Sequence, residues 1–421
     1  MNSNIFANQN MKIIYQTLAN RLRVLIHPNP NTPLSCVNIL YKVGAKYEDP
    51  EKTGFAHLFE HLMFGGSKNA KEFDHYIEKI GGESNAFTDN DHTNFYVTFP
   101  GENLDVVLWA ESDRMNDLAI NEKKLNVQKK VVIEEFKQRY LNAPYGLASH
   151  ELRKLAFEVH PYRWPTIGIH PSHIERATLE DVQTFYEKWY NPDNVILVYG
   201  GPLDPDFVLK RIEYWFSPIQ KHATIHPTLP QEPPQQTKKQ KILQENVPFR
   251  AIYRAYHMPG RREFDYYVCD LISDLFSEGR SGRLEQHLVK DQQLFSDISA
   301  YVGGDIDPGL FYIVGELMES TSWEAAFSAL EAEIEAIKQG DFTDDELTKA
   351  IHQHLLVYAS SLISIEEKMY QLAFAELLGD WQLIEKQKEI YQSITREDIM
   401  RVAQEIFREE NCSEILYEPQ K

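Results

Sequence analysis

Residues 178–201 read TLEDVQTFYEKWYNPDNVILVYGG, and residues 395–419 read TREDIMRVAQEIFREENCSEILYEP. In each, a Thr stands where a helix would begin and an Asp follows three residues on. The hydroxyl can accept a backbone N–H while the carboxylate reaches back to the Thr, a capping box with Asp in place of Glu. A helical apolar pattern follows, and then a short run of Val, Ile, Leu and Tyr that reads as a buried strand. The same ending occurs once in each half of the chain. This leaves open both an internal duplication and two independent helix–strand endings.

Between the two lies PIQKHATIHPTLPQEPPQQTKKQKILQ, residues 218–244. Prolines, glutamines and a lysine cluster with little apolar content read as a linker. The expected organisation is a first domain over 12–217, a linker over 218–244 and a second domain over 245–421. Strand-like runs fall at 22–27, 36–43, 95–99 and 195–199, then at 251–257, 310–316 and 414–417. Helical patterns fall at 73–80, 104–118, 127–140, 206–216, 323–338 and 365–378. Hairpin-like strand pairs separated by runs of helices predict an α+β fold with antiparallel-rich sheets, not a regularly alternating parallel sheet.

The chain has 421 residues, with 43 Lys and Arg against 63 Asp and Glu, a net charge of −20. Such a chain repels phosphate backbones and anionic lipid, so neither nucleic acid nor membrane is an expected partner. No apolar run approaches the about eighteen residues needed to span a bilayer. The opening MNSNIFANQNMKIIY has no basic and apolar signal pattern. Three scattered cysteines, Cys36, Cys269 and Cys412, fit a reducing compartment, and a cytoplasmic location is expected. No glycine-rich phosphate-binding motif occurs.

Chemistry concentrates at residues 53–64, TGFAHLFEHLMF. His57, Glu60 and His61 stand at i, i+3 and i+4, on one face of a helix, so both imidazoles can reach one metal ion. Glu60, beside the second His, can hold a water and move its proton. HxxEH is a zinc-hydrolase pattern. The surrounding Ala56, Leu58, Phe59, Leu62, Met63 and Phe64 imply a buried helix, and a metal compensates for burying two His and a Glu. Two His leave the site one protein ligand short. The pattern VQKKVVIEEF at 127–136 offers Glu134 and Glu135, about 100° apart on a helix, so only one can face the metal. Spacing alone does not choose between them.

TGFAHLFEHLMFGGSKN, followed by GGESNAFTDNDHTNFY and VVIEEF, resembles the pitrilysin/insulinase family of zinc metallopeptidases. The likeness is closest to bacterial proteins akin to the mitochondrial processing peptidase. It extends to LANRLRVLIHPN, VNILYKVGAKYEDPEKTG, HPYRWPTIG and YNPDNVILVYGG, and more loosely to RAIYRAYHMPG and SGRLEQHLVKD in the second half. It implies a zinc-dependent endopeptidase acting on oligopeptides or short unfolded segments. One zinc per chain would be held by His57, His61 and Glu135, with Glu60 as general base. The family tends to carry a Glu seven residues before the third ligand; here Gln128 stands there, able to hydrogen-bond but not to add charge. Asn85, Ala86, Phe87 and Thr88 resemble the edge strand to which a substrate peptide adds as a further strand. Two similar domains are expected to face each other across a chamber.

One departure is expected to matter. Relatives active as a single chain carry an Arg and, seven residues on, a Tyr that reach the substrate from the second half. Val289 and Ser296 occupy those positions here. With the zinc motif intact and this clamp absent, two readings stay open: a dimer in which a homologous chain supplies the Arg and Tyr, the favoured one, or a chain that works by itself with a weaker or altered clamp. The alternative is a non-catalytic peptide-binding or scaffolding subunit. Other residues read blandly. Trp189, Trp215 and Trp381 suit core packing, His150, His160, His170 and His173 suit loops or surface, and His92 suits an ordinary strand turn.

Overall fold

The computed structural model describes residues 12–220 and 222–420; the N-terminal residues 1–11, on which the signal reading rests, lie outside it, as do 221 and 421. Among the described residues eleven strands form two sheets. In the first half β1 (Ile14–Thr17), β2 (Arg23–Pro28), β3 (Leu34–Tyr41), β4 (Glu83–Thr88), β5 (Thr93–Pro100) and β6 (Val195–Gly201) lie in the order β1-β2-β6-β3-β5-β4. In the second, β7 (Lys239–Glu245), β8 (Ala251–Met258), β9 (Phe295–Val302), β10 (Gly309–Leu317) and β11 (Cys412–Pro419) lie in the order β7-β11-β8-β10-β9.

With β1 set aside, the two orders are one order. The β2–β6 and β7–β11 pairs are parallel and every other pair is antiparallel. Helices repeat as well. Leu104–Asn116, Glu122–Phe136, Ala148–Ala156 and Leu179–Trp189 lead from β5 to β6, and Trp323–Gln339, Asp344–Ser361, Ile365–Leu378 and Arg396–Ile406 lead from β10 to β11. Both capping boxes form: Thr178 accepts the Asp181 N–H at 3.2 Å and returns its own N–H to the carboxylate at 3.0 Å. Thr395 and Asp398 do the same at 3.2 and 3.0 Å. The fold is thus α+β, two units of one topology.

Each sheet buries both faces. On one face of the first, Val37, Ile39, Phe95, Val97, Val195 and Leu197 pack under helices of their own half, including Phe55–Met63 and Leu179–Trp189. Strand alternation turns Leu25, Cys36, Leu40, Ile196 and Val198 to the other face. There they meet Met369, Leu372 and Ala373 of the helix Ile365–Leu378, which comes from the second half. The exchange is reciprocal. Ala148, Leu152 and Ala156, from a first-half helix, cover Ala251, Ala255, Tyr312, Ile415 and Tyr417 of the second sheet. Each fully buried Leu contributes about 2 kcal/mol, so the halves are held by apolar contact as much as by the chain between them. Gly200 permits the close approach: a Cβ there would run into the Met369 sulfur.

The expected linker is shorter than 218–244. Its last residues form β7, paired in parallel with β11 from Lys239↔Ser413 to Glu245↔Pro419. An edge strand with mostly exposed Lys and Gln carries no apolar alternation to announce it. The preceding residues are pinned rather than loose. Glu232 accepts the N–H groups of Glu158, Val159 and His160 at 2.7, 3.0 and 2.8 Å. The halves meet along a packed junction that keeps a cavity of about 780 Å³, lined by Arg23, Lys42 and Lys46 from one half and Arg262, Asp307 and Leu377 from the other. Beside it the buried Lys46 ammonium bridges Asp91 and Asp307, both at 2.7 Å.

Candidate metal centre

The helix Phe55–Met63 begins after Gly54, whose φ of 90° lies in the left-handed region and whose Cβ, if present, would meet the Ile167 carbonyl oxygen at 2.6 Å. Its first N–H groups are satisfied by the buried Glu48: Gly54 and Ala56 each donate to that carboxylate at 2.8 Å. Burial pushes the Glu48 carboxyl up to about 8 against the pull of those donors. Phe55, Ala56, Leu58, Phe59, Leu62 and Met63 are buried, which fixes the helix's rotation and leaves His57, Glu60 and His61 on the partly open face.

Opposite runs the helix Glu122–Phe136, started by an Asn121 side chain that accepts the Lys124 N–H. Its buried positions Leu125, Val132 and Phe136 turn Glu135 toward the two imidazoles and leave Glu134 outward, where it pairs with Lys137 at 3.4 Å. His57 Nε2 and His61 Nε2 lie 3.3 Å apart, and Glu135 Oε2 lies 3.8 Å from the first and 3.5 Å from the second. Among the described residues this is the one group of three His, Cys, Asp or Glu donors that converges closely enough for a metal ion.

The electrostatics suit that reading. Burial holds both imidazoles below their ordinary range, His57 down to about 3, so they are neutral with lone pairs to give. Zinc with ligands about 2.0–2.1 Å away in tetrahedral array needs donors about 3.4 Å apart, close to the separations present. The donor set therefore fits zinc. Glu60 is raised by burial and by the Glu135 charge, while the Thr88 hydroxyl, donating to Glu60 Oε2 at 2.6 Å, works the other way. The free oxygen of Glu135 pairs with Arg139 at 3.0 Å.

Asn85, Ala86, Phe87 and Thr88 lie on β4, the edge of the first sheet, paired with Tyr96, Phe95, Asn94 and Thr93 of β5. Thr88 therefore touches Glu60 directly. Gln128 is half-buried two helical turns before Glu135, and among the described residues it makes no hydrogen bond to it. Val289 packs against the second core and Ser296 donates to the Glu316 carbonyl at 3.2 Å. Among the described residues, every hydrogen bond and ion pair of His57, Glu60, His61 and Glu135 comes from the first half.

Several readings from the sequence change. His150 is buried, its ring set against Phe136 at 5.5 Å and Tyr140 at 4.6 Å, and His160 is buried where it caps a short helical turn. His92 lies in the turn between β4 and β5 as expected, and is wholly buried there. His173 serves the site indirectly, accepting the Thr53 N–H at 3.1 Å just before the helix that carries the two imidazoles. Trp189 packs in the core as expected. Glu48 and Arg139 went unnoticed: a lone Glu in a loop and an Arg four residues past a Glu carry no pattern of their own.

Comparison with known proteins agrees with this geometry. The family model described as Insulinase (Peptidase family M16) matches residues 23–168, and that described as Peptidase M16 inactive domain matches 176–354, so the two account for most of the chain. The chain is 28% identical over 409 residues to a Helicobacter pylori protein named zinc protease PqqE, covering 96% of this chain and 92% of that one. It is 24% identical to a Bacillus subtilis protein named uncharacterized zinc protease YmxG, over 94% of this chain and 95% of the other. The crystal structure of a protease from Helicobacter pylori superposes with a TM-score of 0.92 at 28% identity, over 97% of this chain and all of that one. The periplasmic protease PqqL from Escherichia coli shares the fold at TM-score 0.79 and 20% identity, with 98% of this chain covering 48% of that chain.

Proposed function

The chain belongs to the insulinase family, peptidase family M16, and on that footing we propose that it is a zinc-dependent endopeptidase of oligopeptides or short unfolded segments. The observation that carries the reading is the convergence of His57 Nε2, His61 Nε2 and Glu135 Oε2 beside Glu60. Those three residues would hold one zinc per chain. Bound there, the ion supplies Lewis acidity, lowering the pKa of a water toward 7 and polarising a peptide carbonyl.

The chain's own groups do the rest. Glu60 takes the proton of the attacking water and delivers it to the leaving amine. Thr88 holds the Glu60 carboxylate by its 2.6 Å hydrogen bond. The outer edge of β4, across Asn85 to Thr88, offers main-chain donors and acceptors to an added peptide strand, which favours broad sequence tolerance. Gln128 has no charge to give or proton to take, and among the described residues it makes no hydrogen bond to Glu60 or Glu135, so the proton transfer falls to Glu60.

The donors that would steady the substrate carbonyl from the second half are missing at Val289 and Ser296. This supports a dimer in which a homologous chain carrying an Arg and a Tyr completes the site. A cytoplasmic location belongs to the same proposal and rests on three buried, unpaired cysteines. Among the described residues no helix is long and apolar enough to cross a membrane.

The test is hydrolysis of a mixed set of internally quenched peptides by the zinc-loaded chain, alone and with candidate partner chains, against Glu60→Gln. Cleavage lost in the variant supports the peptidase. No cleavage in any combination, with zinc bound, points instead to a peptide-binding or scaffolding subunit.

A further inference from the structure

An edge strand that must accept another strand cannot be braced within its sheet on that side, so its bracing must come from the two faces. β4 has both. Alternation puts Thr88 and Phe87 on opposite faces. On one face Thr88 donates to Glu60 at 2.6 Å. On the other the Phe87 ring meets the Tyr370 ring edge-on, with centroids 5.0 Å apart. Tyr370 belongs to the helix Ile365–Leu378 that the second half lays across the first sheet.

The turn after β4 is held by the same helix. His92 lies nearly parallel to Tyr370 at 5.7 Å, packs on Phe374 at 5.5 Å and touches Phe87 at 5.8 Å. The Asp89 carboxylate lies 3.0 Å from His92 Nδ1 and fixes its ring. Asn90 then donates to Asp305 at 2.5 Å, and Asp91 accepts the Ile306 N–H at 3.0 Å, fastening the turn to a second-half loop.

We propose that Tyr370 is a positioning residue for peptide binding and for Glu60, clamping Phe87 and His92 so that β4 stays flat and the Thr88 hydroxyl stays on the base. The inference rests on the peptidase reading of β4 and Glu60. It gives the second half a part in the site within this one chain, through an aromatic clamp and not through the positions of Val289 and Ser296. The Tyr370 hydroxyl plays no part in it; the ring does.

Hydrogen exchange of the full zinc-loaded chain tests this without turnover, so that failure of the clamp and failure of the peptidase reading are told apart. Tyr370→Leu keeps apolar bulk and removes the ring; Tyr370→Phe keeps the ring. Tyr370→Leu is expected to speed exchange across 84–92 by about tenfold while Phe55–Met63 and β8 stay within about twofold. Tyr370→Phe should match the wild type, and Phe87→Leu should give the same local rise as Tyr370→Leu. In peptide hydrolysis, KM should rise more than kcat falls in the Leu variant and recover in the Phe variant. Unchanged exchange over 84–92 in Tyr370→Leu, or a rise shared equally by β8, would overturn the proposal.

Discussion

The helices Phe55–Met63 and Phe264–Ser277 stand at the same place in the two halves, each following the strand that leads into the middle of its sheet. The first carries His57, Glu60 and His61 and faces Glu135 on Glu122–Phe136. The second carries Asp270, Ser273 and Asp274 at the same spacing and faces His354 on the matching helix, Asp344–Ser361. There the groups have closed on one another: Asp274 holds His354 at 2.9 Å, Asp270 accepts the Tyr391 hydroxyl at 2.5 Å, and His354 stacks on Tyr391 at 3.7 Å. In the first half two imidazole nitrogens and a carboxylate oxygen converge, and each can turn a lone pair toward one common ion. The lesson is that a polar cluster which satisfies itself needs no ion, whereas one whose lone pairs converge on a common point is completed by a cation.

That contrast can be tested from its largest consequence downward. Glu60→Gln should cost about a thousandfold in kcat/KM, as expected for loss of a general base, while Ser273→Ala, between the two Asp of the second cluster, should change it less than about twofold; quenched-peptide kinetics measure both. Glu48→Ala leaves helix N–H groups without their buried acceptor and should destabilise the first half by about 1–3 kcal/mol, read as a lower denaturant midpoint. Among the described residues, Glu263 at the start of the twin helix makes no side-chain capping hydrogen bond, so the matching substitution there removes no such acceptor.

The two clusters should also answer pH with opposite signs. Asp274 raises the pKa of His354, and burial pushes Asp274 up to about 6. Both groups hold protons more tightly folded than unfolded, so the stabilisation each gives is present below its ordinary pKa and lost as pH rises through its raised one. The Tm advantage of wild type over His354→Gln should be a few degrees below about pH 6.5 and should shrink toward pH 8. In metal-free protein, His57 and His61, held low by burial, contribute stability above about pH 6.5 that is lost on acidification. The smallest effect belongs to Gln128→Glu, which should alter zinc affinity by less than about threefold, by chelator competition, since among the described residues the side chain makes no hydrogen bond to Glu135.

Much of this was legible in the sequence where local chemistry and packing agree. The capping boxes at Thr178 and Thr395, the strands at the sheet centres and the HxxEH face all appear as patterns because the same residues decide local and tertiary structure. What was not legible depends on distant partners. The strands β7 and β9 lie at sheet edges and carry exposed polar residues, so alternation is faint. The helix Phe264–Ser277 is buried nearly all round, and its many apolar residues obscure the narrow polar line of Asp270, Ser273 and Asp274. The exchanged helix Ala148–Ala156 is short, and nothing in its sequence says that it covers the other half's sheet. His150 and His160 looked superficial for the same reason. At the site, spacing could not separate Glu134 from Glu135. The choice is made by Leu125, Val132 and Phe136 packing inward and setting the rotation of the helix.

The most direct test of the account is zinc stoichiometry by chelator-competition titration of wild type, His61→Ala and an Asp270→Ala/Asp274→Ala double variant. One tight zinc per chain in wild type and in the double variant, with none in His61→Ala, is the predicted result. Tight zinc retained in His61→Ala, or lost in the double variant while the fold persists, would contradict a single metal centre confined to the first half.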